Sequence, residues 1–140
     1  MRKIDLIVIH CSATRADRCY TEHDLITNNL CRNFSGTGYS YYIRKNGDIK
    51  TLCGKLQRNS VGICYEGGLD CRGRPADTRT PEQRATLRLL IHQLLEVFPG
   101  CRVCGHRDLS PDRNGNGEIE PEEWMKACPC FDAKGQYRGL

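Results

Sequence analysis

The sequence has 140 residues and no apolar run near the roughly 18 that a membrane-crossing helix needs. Its first apolar stretch, residues 4–9, is interrupted by Asp5 and reaches His10 without a small-residue cleavage site. That stretch therefore reads as a strand, and a secretory leader is not expected. Internal repeats and low-complexity linkers are also missing, which leaves a single domain over residues 1–140. The formal net charge is only +4, and the basic residues form no block and no alternation with aromatics. A nucleic-acid-binding surface is therefore not expected.

What the chain does have is ten cysteines: Cys11, Cys19, Cys31, Cys53, Cys64, Cys71, Cys101, Cys104, Cys128 and Cys130. Without a leader the default is reduced thiols, several of them acting as small buried hydrophobes. Cys101 and Cys104 have C-x-x-C spacing, but they follow Pro99-Gly100 and read as part of a strand leading to His106. A disulfide framework is the alternative in an oxidising compartment.

Residues 4–9 are almost continuously aliphatic, as in a strand buried on both faces, with His10 at the C-terminal end, where open sheets present functional groups. Thr21-Glu22-His23-Asp24 resembles a capping box ahead of a weakly periodic helix carrying Leu25, Ile26 and Leu30. Residues 39–44 alternate like a strand, Asn46-Gly47 predicts a two-residue hairpin turn, and residues 48–52 return. A third strand over residues 61–65 is stopped by Gly67-Gly68. The clearest helix runs from Pro81 to Val97, with Thr80 as N-cap, Pro81 in the first turn and Gln83 closing a capping box. Leu87, Leu90, Ile91, Leu94, Leu95 and Phe98 give it one apolar stripe for covering a sheet. Residues 102–104 form a short strand that delivers His106. The fold class is α/β: a single domain with a central mixed β-sheet flanked by helices.

His10, His106 and Cys128 are the donors best placed to converge, since each ends an element or sits in a tight turn. Two imidazoles and a thiolate suit tetrahedral zinc, with the fourth position left for water. Spacing alone favours a structural residue at His10, and His23 and His92 are read that way.

Six segments occur in order: IVIHCSAT (7–14), GYSYYIRKNG (38–47), NSVGIC (59–64), TPEQ (80–83), GHRD (105–108) and KACPCFD (126–132). Together they resemble the zinc N-acetylmuramoyl-L-alanine amidases of the type-2 amidase and peptidoglycan-recognition-protein family, which includes the phage T7-type lysozymes. The resemblance implies a zinc cleft on one face of the sheet, with His10, His106 and Cys128 as ligands. It places the active-site tyrosine on Tyr39 and the active-site lysine on Lys126, and it makes Asn59 a substrate contact. It implies hydrolysis of the amide between the lactyl group of N-acetylmuramic acid and L-alanine, with zinc polarising the carbonyl. A peptidoglycan or muropeptide substrate, a monomeric state and delivery by phage-type release or dedicated export follow as expectations. The alternatives are a peptidoglycan-binding module without catalysis and a metal-stabilised structural protein.

Two departures stand out. Residues 52–58 are shorter than the family's cleft-walling segment and lack its further histidine, and Cys130 stands where a small residue is usual. Residues 112–123 form an insertion that fits the EF-hand loop pattern in full, with Asp112, Asn114, Asn116, Glu118 and Glu123 at the calcium-ligand positions. Leu109-Ser110-Pro111 does not permit an entering helix. The two readings of this loop are a calcium site and an acidic loop folded by its own Asn and Gly turns.

Overall fold

A computed structural model describes residues 4–31 (side chains to 27), 39–52, 60–109 and 128–137. Strand β1 (Leu6–Cys11) lies between β5 (Ser60–Tyr65) and β7 (Arg102–Gly105), parallel to both. On its far side β5 pairs in parallel with β3 (Tyr41–Ile43), and β4 (Ile49–Thr51) closes that edge antiparallel. The order β4-β3-β5-β1-β7 makes a mixed five-stranded sheet, as the sequence predicts.

Side chains alternate across a strand, and the register carries that alternation from strand to strand. Ile7, Ile9 and Cys11 sit opposite Val61, Ile63 and Tyr65, and these six join one core cluster with Leu87, Leu90, Ile91 and Leu94. Those leucines and isoleucines are the apolar stripe of α2 (Pro81–Val97), so α2 covers this face. Ile7, Ile9, Ile63, Leu87 and Ile91 are fully buried, each worth about 1.5–3 kcal/mol of apolar transfer. His10 is out of phase with that set. It is opposite Cys64, which packs with Leu25, Tyr42 and Leu52 in a second cluster. One strand thus supplies the core with its odd-numbered residues, while His10 falls in the opposite phase.

Both predicted caps form. The Thr80 hydroxyl accepts from the Gln83 amide at 3.1 Å while the Thr80 amide donates to Gln83 Oε1 at 2.9 Å. At the start of α1 (Glu22–Cys31) Thr21 and Asp24 make the same reciprocal pair, at 2.9 and 3.1 Å. The hairpin differs from expectation. The Arg44 amide donates to the Asp48 carbonyl, and the Gly47 amide to the Arg44 carbonyl. The loop is therefore the three residues Lys45, Asn46 and Gly47, with Gly47 at φ +91°. A type I turn followed by a left-handed glycine satisfies the same Asn-Gly signal as a two-residue turn.

Three small elements go beyond the sequence prediction. They are the two-stranded sheet of β2 (Thr14–Arg15) and β6 (Gly68–Leu69), a 3₁₀ turn at His106–Leu109, and α3 (Ala133–Gln136). Gly67 and Gly68 do end β5, but Gly68 also opens β6, at φ +101°. A Cβ at Gly68 would lie 2.5 Å from Cys11 Sγ and 2.8 Å from Cys11 Cβ. Gly68→Ala combines left-handed backbone strain with this overlap and is expected to cost about 3 kcal/mol. Urea unfolding with an unchanged midpoint would contradict that packing.

Candidate metal centre

Three elements bring the predicted donors together. β1 presents His10, as above. His106 opens the 3₁₀ turn directly after β7, and the Asp108 carboxylate holds that turn by accepting from the Gly105 amide at 2.8 Å. Cys128 arrives on a turn docked at three points. Its carbonyl accepts from the Arg107 amide at 2.8 Å, and the next carbonyl, of Pro129, accepts from the buried Tyr65 hydroxyl at 2.6 Å. The Pro129 ring lies over Gly105, where a Cβ would come within 2.5 Å of Pro129 Cδ. The Cys128–Pro129 peptide is cis.

The nitrogen and sulfur donor atoms of His10, His106 and Cys128 all lie within 4.8 Å of one another, and all three residues are partly exposed. Tetrahedral zinc, with bonds of about 2.0–2.3 Å, sets its ligand atoms roughly 3.3–3.8 Å apart. The donor set therefore fits the ion with little closing movement. Its chemistry fits too: three donors of borderline softness leave a fourth position accessible. The imidazoles of His10 and His106 are tilted at a centroid separation of 4.9 Å, and the Tyr39 ring stands 4.8 Å from His10. Tyr39 is thus at the rim of the same cluster.

The sulfur of Cys128 has a close protein neighbour besides the histidines. The Cys11 amide donates to Cys128 Sγ at 3.1 Å, the kind of outer contact that orients a metal ligand. The Cys11 thiol also hydrogen-bonds with the thiols of Cys128 and Cys130. The bond with Cys128, reinforced by burial and opposed by the bond with Cys130, pushes Cys11 up to about 12. Cys11 is therefore a protonated thiol at neutral pH.

Two other features were not read from the sequence. Arg79 has a side chain only 1% exposed, yet it stacks on the Phe131 ring at 3.3 Å and pairs with Asp77 at 2.9 Å. It also donates to Tyr137 Oη at 3.0 Å and to Gln136 Oε1 at 2.9 Å. Arg79 thereby anchors the segment just after Cys128 to the start of α2. Asp108 is the second feature. Its position three residues after Gly105, where a turn begins, was the available signal. His23 lies 3.8 Å from the Glu22 carboxylate, and His92 lies 3.6 Å from that of Glu96. Lys126, Asn59 and the loop residues Asp112, Asn114, Asn116, Glu118 and Glu123 lie outside the described residues, so the calcium expectation rests on sequence alone.

Comparison with known proteins adds an independent line. The chain is 44% identical over 97 residues to an uncharacterized protein of Haemophilus influenzae, covering 69% of this chain and 79% of that one. It is 30% identical over 139 residues to an endolysin of Klebsiella phage KP32, covering 91% of this chain and 82% of the endolysin. To an endolysin of Escherichia phage T7 it is 27% identical over 139 residues, with 93% and 83% covered. Among solved structures, the N-acetylmuramoyl-L-alanine amidase LysC from Clostridium intestinale superposes with a TM-score of 0.66 at 20% identity, covering 96% of this chain and 82% of LysC. Drosophila PGRP-LB gives 0.66 at 19%, covering 97% and 80%. These structures share the fold. The N-acetylmuramoyl-L-alanine amidase family model itself matches residues 1–130, and the chain belongs to that family.

Proposed function

We propose that the protein is a zinc-dependent N-acetylmuramoyl-L-alanine amidase that cleaves the lactyl amide between N-acetylmuramic acid and L-alanine in peptidoglycan. The convergence of His10, His106 and Cys128, in a chain matched by the amidase family over residues 1–130, is the observation that carries this reading. Zinc held by these three residues would supply Lewis acidity to the scissile carbonyl and acidify water.

The chain's own groups do the rest. The Cys11 amide holds the Cys128 sulfur in place. Tyr39, beside His10, is assigned to the reacting carbonyl, where its hydroxyl can donate to oxygen as negative charge develops. Lys126, two residues before Cys128 in the sequence, is assigned with Tyr39 to this charge stabilisation or to proton transfer. Asn59 is assigned to substrate contact. The names of the related phage proteins favour a wall-degrading role reached by release from the cell.

The test is mass analysis of muropeptides after digestion, with and without a zinc chelator. Cleavage at the lactyl amide that stops on chelation and returns with zinc supports the reading. Binding of muropeptide without turnover would instead favour a non-catalytic recognition module. Lys126→Ala is expected to lower the cleavage rate about a hundredfold, as loss of one charge-stabilising donor does elsewhere, with zinc content unchanged. A rate within twofold of the parent would remove Lys126 from the mechanism.

A further inference from the structure

The amidase reading gives Cys130 no role, although its sulfur is confined. It donates to the Gly68 carbonyl at 3.2 Å, and Cys130 adopts a left-handed backbone at φ +70° that holds it in the turn. The Cys11 sulfur lies against the same glycine, 2.5 Å from where a Cβ on Gly68 would stand. Only a glycine at 68 leaves room for that sulfur. Both sulfurs thus flank Gly68, and the neighbouring Cys11 thiol is the largest influence raising Cys130. The two cysteines are 119 positions apart in sequence (130 − 11), and they join the end of β1 to the turn that carries the Cys128 donor.

We propose that Cys11 and Cys130 form a disulfide under oxidising conditions, stapling the Cys128 turn to β1 while Cys128 stays free to bind zinc. The placement makes this a device for the metal centre. Cys11 supplies the amide that caps the Cys128 sulfur, and Cys130 lies two residues beyond that sulfur. A bond between them closes a ring of covalent structure around the ligand. Zinc on Cys128 keeps that third sulfur out of exchange, which directs oxidation to the other two.

The reaction needs a small-molecule disulfide such as oxidised glutathione. One cysteine, as thiolate, attacks it and releases one glutathione thiol. The second cysteine then displaces the other glutathione, so that two protein thiols lose two protons and two electrons and the glutathione S–S bond is reduced. Cys11 is buried and Cys130 only partly exposed, so the bond forms slowly and resists reduction, as a structural staple does. A cross-link closing so long a loop constrains the unfolded chain strongly.

The test equilibrates the zinc-loaded full-length protein with excess oxidised glutathione, then alkylates, digests with trypsin and reads peptide masses. Peptide 4–15 carries Cys11 alone, and peptide 127–134 carries Cys128 and Cys130. The expected product links the two and is lighter by two hydrogens. Fragmentation between Cys128 and Pro129 places the bond on Cys130. Zinc content is unchanged, zinc release to a chelator slows about tenfold, and the thermal midpoint rises on the order of 10 °C. Cys130→Ser and, independently, Cys11→Ser give no link and no oxidant-dependent rise. A bond placed on Cys128 with loss of zinc would overturn the proposal. So would recovery of Cys11 and Cys130 as alkylated thiols or as glutathione adducts. None of these readouts uses cell-wall cleavage, so the result stands apart from the amidase assignment.

Discussion

Cys128→Ala is expected to abolish tight zinc binding and to lower muropeptide cleavage by about a thousandfold or more. The scale follows from the several kcal/mol that a metal contributes to charge stabilisation during hydrolysis. Of the three donors, the Cys128 sulfur alone would neutralise part of a bound ion's charge, and the Cys11 amide orients it at 3.1 Å. Its loss leaves two imidazoles, which is too few for a tetrahedral site with one open position. The fold should survive, because the turn is also held through the Cys128 and Pro129 carbonyls, which the substitution retains. Metal analysis, circular dichroism and cleavage rate together check this. A folded variant that still binds stoichiometric zinc would mean that Cys130 or another donor takes the position.

Glu66→Ala should be the most damaging single change to stability away from the metal, costing about 3–5 kcal/mol. Glu66 is 1% exposed and follows β5 directly, where its carboxylate gathers three donors. The Tyr20 amide reaches it at 2.6 Å, Arg44 Nε at 2.8 Å and the Lys45 amide at 3.0 Å. Truncation strands a half-buried guanidinium and two backbone amides at once. It also unties the segment before α1 from the β3–β4 hairpin. Glu66→Gln keeps one acceptor oxygen and should recover part of the loss. Urea unfolding of both variants checks the ordering, and equal stabilities would argue against a charge-assisted network.

The fold was legible where one physical signal dominated. Pro81–Val97 combined a capping box, a first-turn proline and an unbroken apolar stripe, and the structure keeps both its ends. β1 was legible because residues 4–9 are almost continuously aliphatic, although the strand itself runs from Leu6 to Cys11. The short β2–β6 sheet was not, because Thr14-Arg15 and Gly68-Leu69 carry no periodicity and pair only because the chain folds back after Gly67. For the site, His10, His106 and Cys128 could each be named, but nothing in their spacing states that they meet. That depends on the parallel pairing of β1 with β7, and on a turn pinned by Tyr65, a residue from a third strand. The Cys11–Cys130 contact was equally hidden. It needs Gly68 to lack a side chain, which in sequence looked only like a strand stop.

The central claim, that one zinc ion held by His10, His106 and Cys128 cuts the lactyl amide, is tested most directly by titrating metal-free protein with zinc while following muropeptide products by mass. The account predicts that cleavage between N-acetylmuramic acid and L-alanine rises in proportion to bound zinc and saturates at one ion per chain. Full zinc occupancy with the muropeptide left intact would contradict it.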